Sequence, residues 1–269
     1  MAYKYLSLQR QGHIVTCTLS NPPTHTLVAA EVRELHQLVS EIETDPNVRV
    51  LIFTGGGEGI FIAHYEVAEL AEMAETGHGL PDHMSHGKTD LHSIHRLCLR
   101  LEHLPIITIA ALNGNAAGGG AEFALACDFR VMANGPYLFG VPQTNIGITP
   151  AAGGTQRLAR LIGVARTLDL VLLGTMLKPK QVLELGLIHR LYDEDEFAEK
   201  LAVFANRLAE RSPIALAAAK QAIHRGASLP MEQGLAYEQQ AFTHTMRSKD
   251  AAKAMRAWLR GETYEWTGR

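Results

Sequence analysis

The stretch from residue 106 to residue 128, IITIAALNGNAAGGGAEFALACD, constrains the fold more than any other part of the chain. Its first seven residues, of which only Thr108 is polar, are apolar on both faces without alternation, which suits a strand covered on both sides. Asn113-Gly114 ends that run, small residues follow, and Gly118, Gly119 and Gly120 lead into a helical pattern. Successive glycines let the backbone approach a neighbour or ligand closely. The first amides of the following helix have no internal acceptor, so a negatively charged oxygen would be well placed there. A tight strand-to-helix crossing, with small residues serving only packing, remains an equal reading of the same turn.

Around this element, strand and helix patterns alternate. Residues 13–19 read as a strand closed by Asn21-Pro22-Pro23, residues 27–42 as a helix, and residues 48–54 as a strand running into Gly55-Gly56-Gly57. Residues 129–133 read as another strand. Beyond residue 154 the pattern becomes mainly helical: 154–162, 164–173, 179–185, 194–210, 212–225, 231–247 and 249–260, with a last short strand in 187–192. Ser212 and Ser248 stand where N-caps are expected. Alternating elements around a buried sheet indicate an α/β fold. The expected division is a core over residues 1–195 carrying the site and a helical region over residues 196–269 used for subunit contacts.

Composition excludes several function classes. Among 269 residues, 46% are hydrophobic and 20% charged, and the formal net charge is −3. A globular chain without a basic stripe is not expected to bind nucleic acid. No apolar run reaches the length of a membrane span. The N-terminus shows no secretory signal, and Cys17, Cys98 and Cys127 all sit in apolar runs, so buried reduced thiols and a cytoplasmic location are expected. Residues 76–96 carry His78, His83, His86, His92 and His95, but their spacing fits no regular zinc pattern. A polar loop and no metal are expected.

A second turn resembles the first in kind. After residues 48–54, the segment Phe61-Ile62-Ala63-His64-Tyr65-Glu66 opens a helical pattern at Val67, Leu70 and Met73. Two such turns on neighbouring strands would offer two backbone N–H groups to one oxygen, the oxyanion-hole arrangement.

The block NGNAAGGGAEFALACDFR (113–130), followed by FGVPQTNIGITPAAGGTQRLARLIG (139–163), resembles the signature of the crotonase superfamily, the enoyl-CoA hydratase/isomerase family. The similarity in order of elements runs from NPP to the helical C-terminus. The resemblance implies a spiral of repeated ββα units with C-terminal helices at a subunit contact, as a homotrimer or a dimer of trimers. It implies an acyl-CoA thioester as substrate, no separate cofactor, and the amides of Tyr65 and Gly119 as donors to the thioester oxygen. By the same carry-over Pro23, Thr24, Ile62 and Ala63, with Tyr65 and Gly119, would contact the substrate and its CoA portion. His25 would shape the CoA loop, and the 153–157 turn would lie beneath the site. Trp266 resembles an aromatic packed near CoA, with ordinary packing equally open.

Two departures stand out. His64 replaces a family glycine. More consequentially, family hydratases carry two glutamates; Glu122 matches the first, and Gln143 occupies the place of the second. An amide holds water or substrate but carries no proton at neutral pH. Ala151 stands where some relatives place another acid. His95 matches the position of a functional histidine in one branch of the family. Glu122, just inside a helix on an apolar face, is the expected proton carrier, its pKa raised by burial. Enoyl-CoA hydration is the leading expectation. Double-bond isomerisation, acyl-CoA decarboxylation or hydrolysis with one carboxylate, and acyl-CoA binding without turnover remain open alternatives.

Overall fold

The structure is a computed structural model, and it describes residues 3–78 and 91–268. The histidine-rich expectation at His83 and His86 lies outside the described residues. Ten strands are present among the described residues: β1 (Leu6–Gln11), β2 (Ile14–Leu19), β3 (Val50–Gly55), β4 (Ile60–Ile62), β5 (Ile107–Leu112), β6 (Asn115–Ala117), β7 (Phe129–Asn134), β8 (Phe139–Gly140), β9 (Met176–Leu177) and β10 (Arg190–Asp193). Helices are α1 (Ala29–Thr44), α2 (Val67–Thr76), α3 (Ser93–His103), α4 (Gly119–Leu125), α5 (Gly154–Ile162), α6 (Val164–Leu172), α7 (Pro179–Glu184), α8 (Glu194–Ala209), α9 (Pro213–Gly226), α10 (Met231–Met246) and α11 (Lys249–Leu259).

Two sheets organise the described residues. The larger runs β1-β2-β3-β5-β7-β10, parallel except for the β1/β2 hairpin, and the smaller runs β4-β6-β8-β9. Each of β3, β5 and β7 is followed at once by a short strand of the smaller sheet. Successive turns of the chain therefore stack, and the crossings between the sheets gather β4, β6 and β8 side by side. This is the repeated unit expected from the sequence resemblance.

The apolarity of residues 106–112 on both faces, broken only by Thr108, has a direct cause. Alternate residues of the large sheet face opposite ways. Ile14, Val50, Ile52, Ile109 and Val131 pack with Phe197 and Phe204 of α8. Cys17, Leu51, Phe53, Ala110 and Met132 turn to the other core, which holds α1, α3 and α4. All six residues of β5 are buried. The three cysteines are free and buried. Ser212 and Ser248 cap α9 and α11 through their side chains, as expected.

One buried group opposes the fold at neutral pH. Glu31 of α1 is buried, and burial, with the charge of Glu34, pushes its carboxyl up to about 8, against a backbone hydrogen bond at Val28. A carboxyl that keeps its proton in the folded chain but not in the unfolded one is fully accommodated below the unfolded pKa, near 4.3. Its contribution is lost as pH rises through about 8. Glu31→Gln is expected to raise stability at pH 7 by roughly 2 kcal/mol. The difference from wild type should vanish toward pH 4, as read by denaturant unfolding at a series of pH values.

Candidate active site

The site forms where the crossings from β3 to α2 and from β5 to α4 meet. Leu27 bridges Tyr65 in parallel fashion: the Leu27 amide donates to the His64 carbonyl at 2.8 Å and the Glu66 amide donates to the Leu27 carbonyl at 2.9 Å. In an extended segment, successive N–H groups point to opposite sides. With His64 and Glu66 committed to Leu27, the Tyr65 amide points the other way, and it has no acceptor among the described residues. On that other side lies the start of α4.

Gly120 explains how the two segments come so close. A Cβ there would sit 2.5 Å from the Ile62 carbonyl oxygen, so only glycine permits the approach. One residue earlier, a Cβ at Gly119 would lie 3.6 Å from the Tyr65 nitrogen and 3.2 Å from its Cβ. The Gly119 amide, first in α4, also has no acceptor among the described residues. Two amides without acceptors among the described residues, from segments more than fifty positions apart, thus come close together at this crossing.

The Tyr65 segment is held firmly. The Ala63 amide donates to the His25 carbonyl, and the Thr26 hydroxyl donates to Glu66, whose carboxylate also caps α2. Thr24 and Thr26 hydroxyls bond at 2.9 Å, and Asn21 donates to the Thr26 carbonyl. The exposed Pro23 and Thr24 therefore lie on a loop tied to Ala63 and Tyr65 rather than at a distance from them. His64, in place of the family glycine, takes an ordinary backbone; His25 alone among described non-glycine residues has a positive φ. The Tyr65 phenol turns toward Glu69, not into the amide pair, and burial holds it protonated.

Glu122 occupies the first turn of α4 with 1% exposure. Its Oε1 accepts the amides of Ala152 (2.8 Å) and Gly154 (2.7 Å), and its Oε2 accepts Gln143 Nε2 at 2.8 Å. Burial raises its carboxyl above the ordinary range, against backbone hydrogen bonds at Gly154, Ala152 and Ala151 and the charge of Arg157. Gln143 opens a 3-10 turn, Gln143–Ile146, and its Oε1 is buried without a hydrogen-bond partner. A point above Gly118 lies within 4 Å of both the Gln143 carboxamide and the His64 Cβ, so both side chains border the same space.

Other candidates fall elsewhere. His95 sits on α3 with Nδ1 buried and unpartnered; it stacks on His92 and makes no hydrogen bond to Glu122. Trp266 packs edge-on to Tyr264, and its carbonyl accepts from Arg49, beside the N-terminal end of β3, whereas the amide pair follows that strand's other end. The sequence reading did not anticipate that the 152–154 turn fixes Glu122 directly. The signals were Gly153-Gly154 ahead of a helix and the resemblance that set the 153–157 turn beneath the site.

Residues 9–269 match the family described as enoyl-CoA hydratase/isomerase. The chain is 32% identical over 253 residues to the short-chain-enoyl-CoA hydratase of Clostridium acetobutylicum, covering 94% of this chain and 93% of that one. It is 34% identical over 267 residues to the 2,3-dehydroadipyl-CoA hydratase of Escherichia coli, covering 98% and 99%. The crystal structure of an enoyl-CoA hydratase from Bacillus anthracis superposes with a TM-score of 0.90 at 32% identity, over 99% of this chain and all of that one. With the fold and nearly the full length in agreement, this chain is an enzyme belonging to the enoyl-CoA hydratase/isomerase family, with the crotonase fold.

Proposed function

We propose that the protein adds water reversibly across the C2–C3 double bond of a 2-enoyl-CoA, using Glu122 as its one proton carrier. The carrying observation is a single buried carboxylate beside two open, adjacent amides. In this reading Glu122 takes a proton from water, and the hydroxide adds to C3. The π electrons move toward the thioester oxygen, which accepts hydrogen bonds from the Tyr65 and Gly119 amides. The proton held by Glu122 then passes to C2, which restores the carbonyl and returns Glu122 to its starting state. Gln143 contributes no proton. Its unpaired Oε1, a buried acceptor costing about 1–3 kcal/mol when left unmade, accepts one O–H of the reacting water.

Pro23, Thr24, Ile62 and Ala63 line the approach for the CoA portion, which is part of the substrate, so no separate cofactor is used. Ile223, Met231, Phe242, Trp258 and Leu259 of the C-terminal helices are exposed, Trp258 at 78%. Large apolar side chains in such number favour burial against further copies of the chain. A homotrimer or a dimer of trimers is part of the proposal, with residues 196–269 at the contacts. None of the helices among the described residues is long and apolar enough to cross a membrane. Free, buried thiols fit a cytoplasmic setting.

Isomerisation of a 3-enoyl-CoA to a 2-enoyl-CoA by Glu122 alone is the second reading, favoured by the amide at Gln143. Crotonyl-CoA incubated in water enriched in heavy oxygen separates the two. Hydration should give a 3-hydroxyacyl-CoA carrying the label. Turnover of a 3-enoyl-CoA at unchanged mass, with no labelled product from crotonyl-CoA, would replace hydration with isomerisation.

A further inference from the structure

The turn that grips Glu122 is itself gripped from behind. Arg157, in the first turn of α5, donates from Nη1 to the Ala152 carbonyl at 2.8 Å and from Nε to Glu102 Oε1 of α3 at 2.6 Å. Residue 152 is thus held at both ends, its amide by Glu122 and its carbonyl by Arg157. Two glycines make the sandwich possible. A Cβ at Gly153 would fall 2.0 Å from Arg157 Nη1, and one at Gly154 would fall 2.9 Å from Glu122 Oε1 and Cγ. The guanidinium packs directly on one side of the turn, and the carboxylate packs directly on the other.

We propose that Arg157 is a positioning residue for catalysis: tethered to Glu102, it fixes the 152–154 turn so that two main-chain amides hold the Glu122 carboxylate in its working orientation. The inference rests on the reading of Glu122 as proton carrier and extends it to a residue that touches no substrate. A planar guanidinium suits the task because it donates in two fixed directions at once. A lysine at 157 would keep the charge and lose that geometry.

Other nearby groups are committed elsewhere: Arg130 of β7, the neighbouring cation, donates to the carbonyls of Leu187, Leu125 and Cys127. From α3, the titratable groups facing Arg157 and Glu122 are His95, Cys98 and Glu102. Burial pushes the Cys98 thiol up to about 12, so it remains neutral. Burial, with His92 and Arg157 nearby, holds His95 below the usual histidine range. Glu102 is committed to Arg157, and Gln143 carries no charge. The two amides and the Arg157 charge all favour the ionised form of Glu122, so losing the clamp should make its proton harder to remove.

The test compares Arg157→Gln, Arg157→Lys and Glu122→Gln with wild type on crotonyl-CoA, as kcat and KM profiles against pH. Arg157→Gln should move the acidic limb of kcat/KM upward by about one pH unit. At neutral pH it should lower kcat about tenfold to a hundredfold, with KM within a few-fold. Arg157→Lys should shift the limb in the same direction by less. Asp250→Asn, which loosens the C-terminal tail bound by that carboxylate, supplies a destabilised control and should leave the limb in place. If Arg157→Gln does not fold, Arg157→Lys decides: a displaced limb supports the inference, and a profile superimposed on wild type overturns it. An active Glu122→Gln would remove the proton-carrier reading together with the inference. An inactive Glu122→Gln with an unaltered Arg157→Gln profile would remove the inference alone.

Discussion

Glu122→Gln is expected to lower kcat for hydration of crotonyl-CoA by about a thousandfold, with little change in substrate binding. The substitution alters almost no shape. A glutamine carbonyl at 122 can still accept the Ala152 and Gly154 amides, and Gln143 can turn its own oxygen toward the new NH2 group. Stability should be equal or higher, because a carboxylate held against a desolvation penalty is replaced by a neutral amide. Loss of activity can then be assigned to the missing proton carrier. Steady-state kinetics with a matched thermal melt provide the check. A variant retaining more than a tenth of wild-type kcat would show that some other group moves the proton.

Lys220→Ala is expected to cost about 3–5 kcal/mol, the typical loss on breaking one side of a buried ion pair. Lys220 is buried on α9 and donates to the carbonyls of Leu101 and Ile106 and to Asp128 Oδ2, at 2.8–2.9 Å. All three ammonium protons are used. Burial alone would raise the Asp128 carboxyl, but His224 and Lys220 outweigh it and hold the group below the ordinary range. Asp128 also accepts the amide and hydroxyl of Thr108. Without the lysine, two carbonyls lose their donor and a carboxylate loses its counter-charge. Chemical denaturation should show the loss directly. The double variant Lys220→Met with Asp128→Asn should be less destabilised than Lys220→Met alone, since it removes the stranded charge. If the double variant is the worse of the two, ion pairing is not what joins α9 to the sheet.

The elements readable in the sequence were those long enough to show a period. Residues 106–112 announced a strand covered on both sides, and β5 is that strand, one residue shorter. The C-terminal helices appeared within a residue or two of their expected ends because long amphipathic patterns and the caps at Ser212 and Ser248 mark them. The smaller sheet was invisible from periodicity. β6 has three residues and β8 two, too few to display alternation, and they exist because β5 and β7 deliver them side by side. Only the resemblance carried that level of the fold.

At the site, residue identity was legible and contact was not. Glu122 stood out as a carboxylate among apolar neighbours, and burial follows from the face it occupies. Nothing local revealed that its oxygens would be met by amides thirty positions away, because such bonds are made by main chain and leave no side-chain signature. Gln143 was read as a holder of water or substrate. Its carboxamide nitrogen is spent on Glu122, which leaves its oxygen as the atom able to play that part.

A pair of hydrogen-bond donors built from peptide nitrogens cannot be deleted by changing a side chain, short of introducing proline. Tyr65 can be exchanged for a smaller or larger residue, and the hydrogen it presents remains the same. Substitution of His64, Tyr65 or Gln143 would change what surrounds the two amides without removing either of them. On the proposed reading, side chains at this crossing can retune acyl preference or the reaction itself while the main-chain donors stay in place.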